Sequence, residues 1–375
     1  MKKVTFCIGL LLLSLVSTAQ YKVTFVFDKL PSYQKASDKI YLVGSFNNWN
    51  PHDEKFQMKI IDAKPGITIE LSKGMYEYKF TEGSWESVES ADKGFPTANR
   101  NIVVGSDTTI HVEIENWANH FPKKEKRSTA SKNVHIVDES FYIPQLDRHR
   151  KVWIYLPESY GTSKKKYPVL YMHDGQNVFD EATAAYGEWG VDEALDSLGK
   201  QHREVIVVAI ENGADKRLNE YSPYDMEKYG KGEGDQYVDF LAKTLKPYID
   251  KHYRTKKDEK NTFVAGSSMG GLISFYAILK YPKVFGGAGV FSPAFWITPQ
   301  LKNIDPAKAK KVKGRIYFYA GQQESETMVS DMLNVFEQMH QHSKAKMKTV
   351  IRAEGKHNEA TWREEFPLFY EWIVL

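Results

Sequence analysis

Hydrophobic and polar residues alternate with a period of two along the first third of the chain. The apolar runs are short and rich in β-branched and aromatic residues, and turn-forming residues separate them, which is typical of half-buried strands. Seven such runs fall within residues 21–116, namely YKVTFVF, KIYLVGSF, FQMKII, ITIEL, MYEYKF, RNIVV and TTIHVEI. This number of short strands in about a hundred residues predicts an all-β, immunoglobulin-like sandwich domain.

After residue 135 the apolar runs become continuous, and helical patterns stand between them. Continuous runs indicate strands that are buried on both faces, and their alternation with helices predicts a mainly parallel sheet flanked by helices. The strand-like runs are VWIYLP, YPVLYMHD, EVIVVAIEN, NTFVAG, GAGVFS, RIYFYAG and MKTVIRAEG. The helical stretches include GDQYVDFLAKTLKPYIDKHY, TMVSDMLNVFEQMHQ and EATWREEFPLFYEWI. We therefore assign residues 135–375 to an α/β domain.

The segment between these two patterns, residues 117–134, is polar. It has few large apolar side chains and contains the charged run PKKEKR. Such a composition is typical of a linker or an exposed connection, and the charges are those of a solvated tether.

The first twenty residues have the pattern of a secretory signal peptide. Two lysines precede an apolar stretch that ends at Val16, and the small residues STA follow at 17–19. The apolar stretch is short for a membrane span, so we expect cleavage close to Ala19 and export to a bacterial periplasm or exterior. A retained membrane anchor is the alternative.

Composition excludes several classes of function. The single cysteine, Cys7, lies inside the predicted signal peptide, so the mature chain is expected to lack disulfides, thiol catalysis and cysteine-ligated metal. Loss of that peptide's two lysines lowers the formal charge from +3 to +1. A charge this small gives no reason to expect binding to nucleic acid or to an anionic surface. There is no HExxH motif, and His340 and His342 are spaced wrongly for one helix face. We predict no metal site and no cofactor.

Reactive side chains follow three of the predicted strands of the α/β domain. In such sheets the functional site lies at the carboxyl ends of the strands. Ser268 follows NTFVAG at the centre of Gly266-x-Ser268-x-Gly270, which has the form of a nucleophile elbow. Glu324 follows RIYFYAG, and His357 follows MKTVIRAEG. The chain order serine, carboxylate, histidine is that of α/β-hydrolases.

These three residue types together suit nucleophilic attack on an acyl group. A serine hydroxyl needs a base to take its proton, and the imidazole of His357 can do so while a carboxylate orients it and offsets its charge. We favour Glu324 as that carboxylate, with Glu326 and Asp331 as alternatives after the same strand. The competing interpretation makes Ser268 a packing residue and His357 a helix cap.

A tetrahedral acyl intermediate also needs two backbone N–H donors for its oxygen. One is expected from Met269, the residue after the nucleophile, and the other from Gln176 in the loop after YPVLYM. Asp174, in the same loop, is expected to hold the loop in place.

Residues 135–375 resemble the esterase family of α/β-hydrolases that includes esterase D, feruloyl and acetyl xylan esterases, and siderophore esterases. The resemblance rests on YMHDGQNVFD, VAGSSMGG, YFYAGQQES and GKHNEATW. By the family pattern, Ser268 is the nucleophile, Glu324 the acid and His357 the base. Glutamate stands where many members carry aspartate. The resemblance does not identify the acyl group.

Residues 21–116 resemble the starch- and glycogen-binding carbohydrate modules in the stretches YLVGSFNNWNP, YEYKFTEGSWESVES and TANRN. The resemblance implies a sugar site made of Trp49, Lys79, Trp85, Asn99 and Asn101. Indole rings can stack on sugar rings, and amide and ammonium groups can bond to hydroxyls. A spacer domain with both tryptophans in its core is the alternative.

These features predict an exported serine carboxylesterase that removes feruloyl or acetyl groups from plant polysaccharides or oligosaccharides. The expected partners are the ester-decorated carbohydrate and a polysaccharide bound by the N-terminal module, with no nucleic acid. Two alternatives remain open. One is a hydrolase of siderophores or small esters, with the first domain as a lid, and the other is a glycan-binding protein with an inert hydrolase domain.

Overall fold

The computed structural model describes residues 20–47, 49–61, 64–122, 126–199 and 203–374. The chain divides into two compact units, Met1–Lys124 and Glu125–Leu375. The predicted signal peptide lies outside the described residues except for Gln20, which begins the first strand. Within the described ranges, no helix is both long enough and apolar enough to cross a membrane.

The first unit is built from strands that are joined by turns and short 3-10 helices. Seven of its strands coincide with the seven predicted runs, whereas β6 and β9 have two residues each and are too short to show an alternating pattern. The strands are β1 (Gln20–Lys29), β2 (Tyr41–Gly44), β3 (Lys59–Ile61), β4 (Lys64–Ser72), β5 (Gly74–Thr81), β6 (Glu89–Ser90), β7 (Arg100–Val104), β8 (Thr108–Glu113) and β9 (Asn116–Trp117).

Two sheets of the first unit share an apolar core. One has the order β3-β4-β1-β8 and the other β2-β5-β7. Alternate residues of a strand point to opposite faces, so Phe25 and Phe27 of β1 lie on the same face. Phe25 meets Tyr78 of β5, and Phe27 meets Phe80, each edge to face with ring centroids 5.0 Å apart. All four rings are buried. The immunoglobulin-like classification stays a prediction.

The predicted linker, residues 117–134, is structured at both of its ends. Trp117 ends β9 and is fully buried in the core of the first unit. Removal of its large apolar ring from water stabilises the fold. At the other end, the Ser131 backbone N–H donates to the buried carboxylate of Asp192 at 2.6 Å, and β10 follows directly. Both ends of the segment are thus attached to the neighbouring units, and the linker boundaries 117–134 stay a prediction.

The second unit contains the strands β10 (Val134–Ile143), β11 (Arg148–Tyr155), β12 (Val169–Met172), β13 (Ile206–Ile210), β14 (Thr262–Ser267), β15 (Gly287–Phe291), β16 (Arg315–Gly321) and β17 (Lys346–Arg352). Its α-helices are α1 (Val191–Leu198), α2 (Arg217–Tyr221), α3 (Gly234–Phe240), α4 (Lys246–His252), α5 (Met269–Lys280), α6 (Pro306–Ala309), α7 (Met328–His342) and α8 (Glu359–Val374). A π-helical turn, Leu241–Leu245, joins α3 to α4. The sequence pattern missed β10, where bulges interrupt the pairing with β11.

These strands form one sheet of order β10-β11-β13-β12-β14-β15-β16-β17. Strand β11 is antiparallel to both of its neighbours, and the pairs from β13 to β17 are parallel. The mainly parallel, helix-flanked sheet is therefore as predicted. Val169 and Tyr171 of β12 enter the apolar core on one face, whereas Leu170 and Met172 enter the core on the other. Burial on both faces explains why these strands read as continuous apolar runs.

Candidate active site

The chain turns sharply between β14 and α5, and Ser268 stands at this turn. Ser268 has φ 57° and ψ −121°, a backbone conformation that residues with a Cβ atom rarely adopt. Its N–H donates to the Phe291 carbonyl at 2.9 Å, and its carbonyl accepts from the Ala294 N–H at 3.1 Å. Surrounding hydrogen bonds therefore impose this conformation on the predicted nucleophile.

The glycines around Ser268 are required by close approaches of the backbone. A Cβ on Gly271 would lie 2.6 Å from the carbonyl oxygen of Phe291, and one on Gly266 would lie 3.0 Å from the carbonyl carbon of Gly270. Both distances are shorter than ordinary contacts to a side chain. The small residues of the GxSxG pattern thus permit α5 to start directly against β14 and β15.

Glu324 and His357 are hydrogen-bonded to each other at the carboxyl ends of β16 and β17. The Nδ1 atom of His357 lies 2.8 Å from Oε2 of Glu324, whose side chain is fully buried. The other two candidate carboxylates do not make this contact, since Glu326 is exposed and Asp331 pairs with Lys302 at 2.6 Å. Because a carboxylate only accepts, Nδ1 carries the hydrogen and Nε2 is the ring nitrogen able to take a proton.

The second oxygen of Glu324 is held by two donors that sequence analysis did not assign. Its Oε1 atom accepts from the hydroxyl of Ser292 at 2.7 Å and from the backbone N–H of Gly321 at 2.6 Å. The Ser292 hydroxyl in turn accepts from the indole N–H of Trp362 at 2.8 Å. These bonds fix the carboxylate toward His357. A polar residue directly after β15 was the only sequence signal for Ser292.

The two predicted oxyanion donors lie at the starts of helical turns. Met269 is the first residue of α5, and Gln176 lies in a 3-10 turn, Gly175–Asn177, that follows β12. The first N–H groups of a helix have no acceptor within the helix, so they are available to a negatively charged oxygen. β12 and β14 are neighbours in the sheet, which brings the two turns to the same edge.

An ion pair between the buried Asp174 and the partly buried Arg217 holds the loop that carries Gln176. Arg217 donates to both carboxylate oxygens of Asp174, at 2.5 and 2.9 Å, and Asn212 donates to one of them at 2.7 Å. Burial alone would raise the pKa of Asp174, but the charge and hydrogen bonds of Arg217 outweigh it, so that pKa is lowered. Removing one partner of such a pair costs about 3–5 kcal/mol. This agrees with a structural role for Asp174.

Two tryptophans surround the imidazole of His357. The ring of Trp362 meets it edge to face at 5.1 Å and is buried. Trp296, on the segment after β15, meets it at 6.3 Å with an interplanar angle of 64° and keeps 43% of its surface exposed. The imidazole thus has a buried ring on one side and an accessible aromatic surface beside it.

In the first unit, the two predicted sugar-binding tryptophans lie together. The rings of Trp49 and Trp85 are 6.2 Å apart at an angle of 39°, and Trp85 is 45% exposed. Trp49 has a positive φ of 58°, which turns the chain after β2. Neither tryptophan belongs to the apolar core of this unit, which disfavours the alternative that they serve the core.

The three polar residues predicted for the sugar site differ in their surroundings. Lys79 is buried, and its ammonium donates to the carbonyl and hydroxyl of Thr97 and to the carbonyl of Ala98 at 2.7, 2.9 and 3.2 Å. All three of its N–H groups are thus used within the unit, which is a structural arrangement. Asn99 and Asn101 are exposed, and Asn99 donates to Glu77.

Metal ligands are not grouped in the part of the chain that the structure describes. No cluster of three or more His, Cys, Asp or Glu side chains there has the geometry to hold an ion.

Comparison with known proteins gives one family match. The family model Esterase, described as "Putative esterase", matches residues 143–369. This range contains α5, the three strand ends with Ser268, Glu324 and His357, and the turn with Gln176.

Two relatives illustrate the range of similar proteins. The uncharacterized protein YbbA of Bacillus subtilis is 29% identical over 209 residues, which cover 53% of this chain and 79% of YbbA. An endo-1,4-beta-xylanase/feruloyl esterase of Xylanibacter ruminicola is 29% identical over 166 residues, which cover 42% of this chain and 21% of that protein. The similarity to the second relative is thus confined to about a fifth of its length.

Among solved structures, the enterobactin esterase FES of Shigella flexneri, in the presence of enterobactin, is similar. The TM-score is 0.54 at 16% sequence identity, and the alignment covers 94% of this chain and 92% of that one. At this identity the similarity concerns the fold.

Proposed function

This chain belongs to the esterase family, and from that premise we propose that it is an exported serine esterase that removes feruloyl groups from plant polysaccharides or oligosaccharides. It has the α/β-hydrolase fold of the family and is an ester hydrolase. In the proposal, Ser268 is the nucleophile, His357 the base and Glu324 the acid. The observation that carries it is the His357–Glu324 hydrogen bond, which lies at the same sheet edge as the strained turn of Ser268.

Acylation begins when the hydroxyl oxygen of Ser268 attacks the ester carbonyl carbon and its proton passes to Nε2 of His357. The carbonyl oxygen becomes negatively charged, and the N–H groups of Met269 and Gln176 stabilise it. Glu324 stabilises the imidazolium through Nδ1. The imidazolium then gives its proton to the leaving alcohol oxygen as the bond from that oxygen to the acyl carbon breaks. An acyl group remains on Ser268.

Deacylation repeats these steps with water as the nucleophile. His357 takes a proton from water, whose oxygen attacks the acyl carbon, and the same two N–H groups stabilise the second oxyanion. The bond to the oxygen of Ser268 breaks, and His357 returns the proton to that oxygen. The products are the carboxylic acid and the free alcohol.

The exposed ring of Trp296 beside His357 supports a feruloyl group over an acetyl group. Stacking between aromatic rings contributes about 0.5–1.5 kcal/mol of binding free energy in addition to that gained by burying their surface. An acetyl group is too small to use such a surface, whereas the planar feruloyl ring can stack on it. The feruloyl esterase activity in the name of the Xylanibacter relative is in line with this choice.

We expect Trp296→Ala to lower kcat/KM for methyl ferulate about 3- to 10-fold, because the stacking surface is lost. Hydrolysis of methyl acetate, which has the same leaving alcohol, should stay within about twofold. Steady-state kinetics on both esters measure the effect. Tyr142→Ala is the control, since Tyr142 is 48% exposed and lies on β10 at the far edge of the sheet. Equal losses on both esters would contradict the stacking role.

We further propose that the first unit is a carbohydrate-binding module whose sugar surface includes Trp49 and Trp85, with Asn99 and Asn101 as polar contacts. The support is the paired, partly exposed arrangement of the two rings. The surroundings of Lys79 do not support its inclusion.

Replacing both Trp49 and Trp85 by alanine should slow ferulate release from insoluble feruloylated xylan and leave hydrolysis of methyl ferulate unchanged. A bound module raises the local concentration of polymer-borne esters but has no effect on a small soluble ester. Ile60→Ala serves as the control, because Ile60 is 72% exposed on β3. An unchanged rate on the polymer would make the unit a spacer.

The proposed function is tested most directly with the purified protein and a panel of esters. Ferulate release from feruloylated xylan oligosaccharides supports the proposal. Hydrolysis of enterobactin or of acetylated oligosaccharides, with no ferulate release, would replace it by one of the alternatives.

A further inference from the structure

A buried side-chain contact connects the turn of Gln176 to the segment of His357. The amide nitrogen of Asn177 donates to Oε1 of Glu359 at 3.1 Å. Asn177 directly follows Gln176, and Glu359 comes two residues after His357 as the first residue of α8. Only 7% of Asn177 and 8% of Glu359 are exposed.

The same asparagine is fixed from three further directions. Its side-chain oxygen accepts from the N–H of Ala185 at 3.2 Å, its backbone N–H donates to the Asp174 carbonyl at 2.8 Å, and its carbonyl accepts from the N–H of Trp189 at 2.8 Å. The bond to Glu359 is therefore a connection from a rigid loop to the start of α8, rather than a contact between two free side chains. None of these atoms takes part in the mechanism described above.

We propose that Glu359 is a positioning residue, which acts through Asn177 to fix the oxyanion donor Gln176 relative to the base His357. The inference rests on the proposed function, because it concerns the same reaction. Both donor and base must meet one substrate carbonyl, and a displacement of about 1 Å between such groups can cost about 100-fold in rate. A direct side-chain bridge between the two segments restricts that displacement.

The charge state of Glu359 matters for this role. Burial raises its pKa to about 7, and the nearby carboxylate of Asp174 adds to the rise, while the backbone, His357 and Asn177 oppose it. Arg217, which pairs with Asp174, also interacts with it. Below that pH the neutral acid predominates, and above it a negative charge arises on the side chain bonded to Asn177, the neighbour of the oxyanion donor Gln176. That charge would oppose the reaction.

Two variants of Glu359 distinguish the effect of its hydrogen bond to Asn177 from the effect of its charge. Glu359→Gln keeps an acceptor for Asn177 and is neutral at every pH, so kcat at pH 6.5 should stay within about threefold of the native value. Native kcat/KM for methyl ferulate should fall about tenfold between pH 7 and pH 9, whereas that of the glutamine variant should stay level. Glu359→Ala should lower kcat about 10- to 100-fold with KM within about threefold.

Asn177→Ala is the second test of position, since it removes the donor and leaves α8 intact. It should reproduce the loss of kcat seen in Glu359→Ala. Glu364→Gln is the matched control, because it removes a carboxylate from an exposed site on the same helix and should leave the pH profile native. Thermal unfolding of each variant identifies losses that come from unfolding.

Native kcat in folded Glu359→Ala or Asn177→Ala would overturn the positioning role. If kcat/KM of Glu359→Gln fell above pH 7 as that of the native protein does, the proposed role of the Glu359 charge would be overturned. If the native protein hydrolyses neither methyl ferulate nor 4-nitrophenyl acetate, the proposed function itself fails. Hydrolysis by the native protein with unaffected variants rejects only the inference about Glu359.

Discussion

Replacing Ser268 by alanine should remove nearly all ester hydrolysis, with kcat lowered by a factor on the order of 10⁴ or more. Alanine has no nucleophilic atom, so the acyl-enzyme cannot form, and only the oxyanion donors and binding contacts remain. His357→Ala should have an effect of the same order, because residues that act as a unit are not additive. The measurement is steady-state hydrolysis of methyl ferulate by folded variants, with circular dichroism to establish the fold.

Ser267→Ala is the matched control for the first variant. Ser267 precedes Ser268 and is the last residue of β14, where it is buried. Its alanine variant should keep turnover within a few-fold of native. Turnover close to native in Ser268→Ala or His357→Ala would contradict the assignment of the triad.

Glu324→Gln should lower kcat by about 10³- to 10⁴-fold while the fold is kept. The amide has nearly the shape of the carboxylate, but it is neutral and does not stabilise the imidazolium of His357. It also presents N–H groups to a site where three donors already converge, which favours the wrong tautomer or orientation of the ring. The same kinetic assay measures the effect.

Glu326→Gln provides the comparison, since Glu326 lies two residues further on and is exposed. It should retain native kinetics. If Glu326→Gln caused the loss and Glu324→Gln did not, the acid would be the later residue, and the hydrogen bond from His357 to Glu324 would not be the catalytic one.

The sequence predicted the part of the site that lies directly after strands. Parallel strands of this sheet have a marked apolar pattern. The glycine-framed serine and the glutamate follow the buried strands β14 and β16, and the histidine follows the partly exposed edge strand β17. Their positions at one sheet edge then follow from the parallel arrangement. Strand β10 was not predicted, because its bulges and polar residues interrupt the alternation of apolar and polar positions.

Residues whose role depends on long-range packing could not be predicted in this way. Ser292 and Trp362 are 70 positions apart, and nothing local to either one indicates their hydrogen bond to each other. Lys79 shows the reverse case, since a motif implied a sugar contact, whereas the fold satisfies its ammonium with Thr97 and Ala98. The spatial partners of a polar side chain, and not its type, decide such roles.

The positive φ of Ser268 sets folding stability against activity. A residue held in such a conformation costs on the order of 1–3 kcal/mol, which is a sizeable share of the net stability of a domain. Glycine would adopt the turn with little strain, so the residue that best suits the backbone is one that cannot act as a nucleophile. Selection for thermal stability alone would therefore favour glycine at position 268, and the proposed nucleophile would be lost.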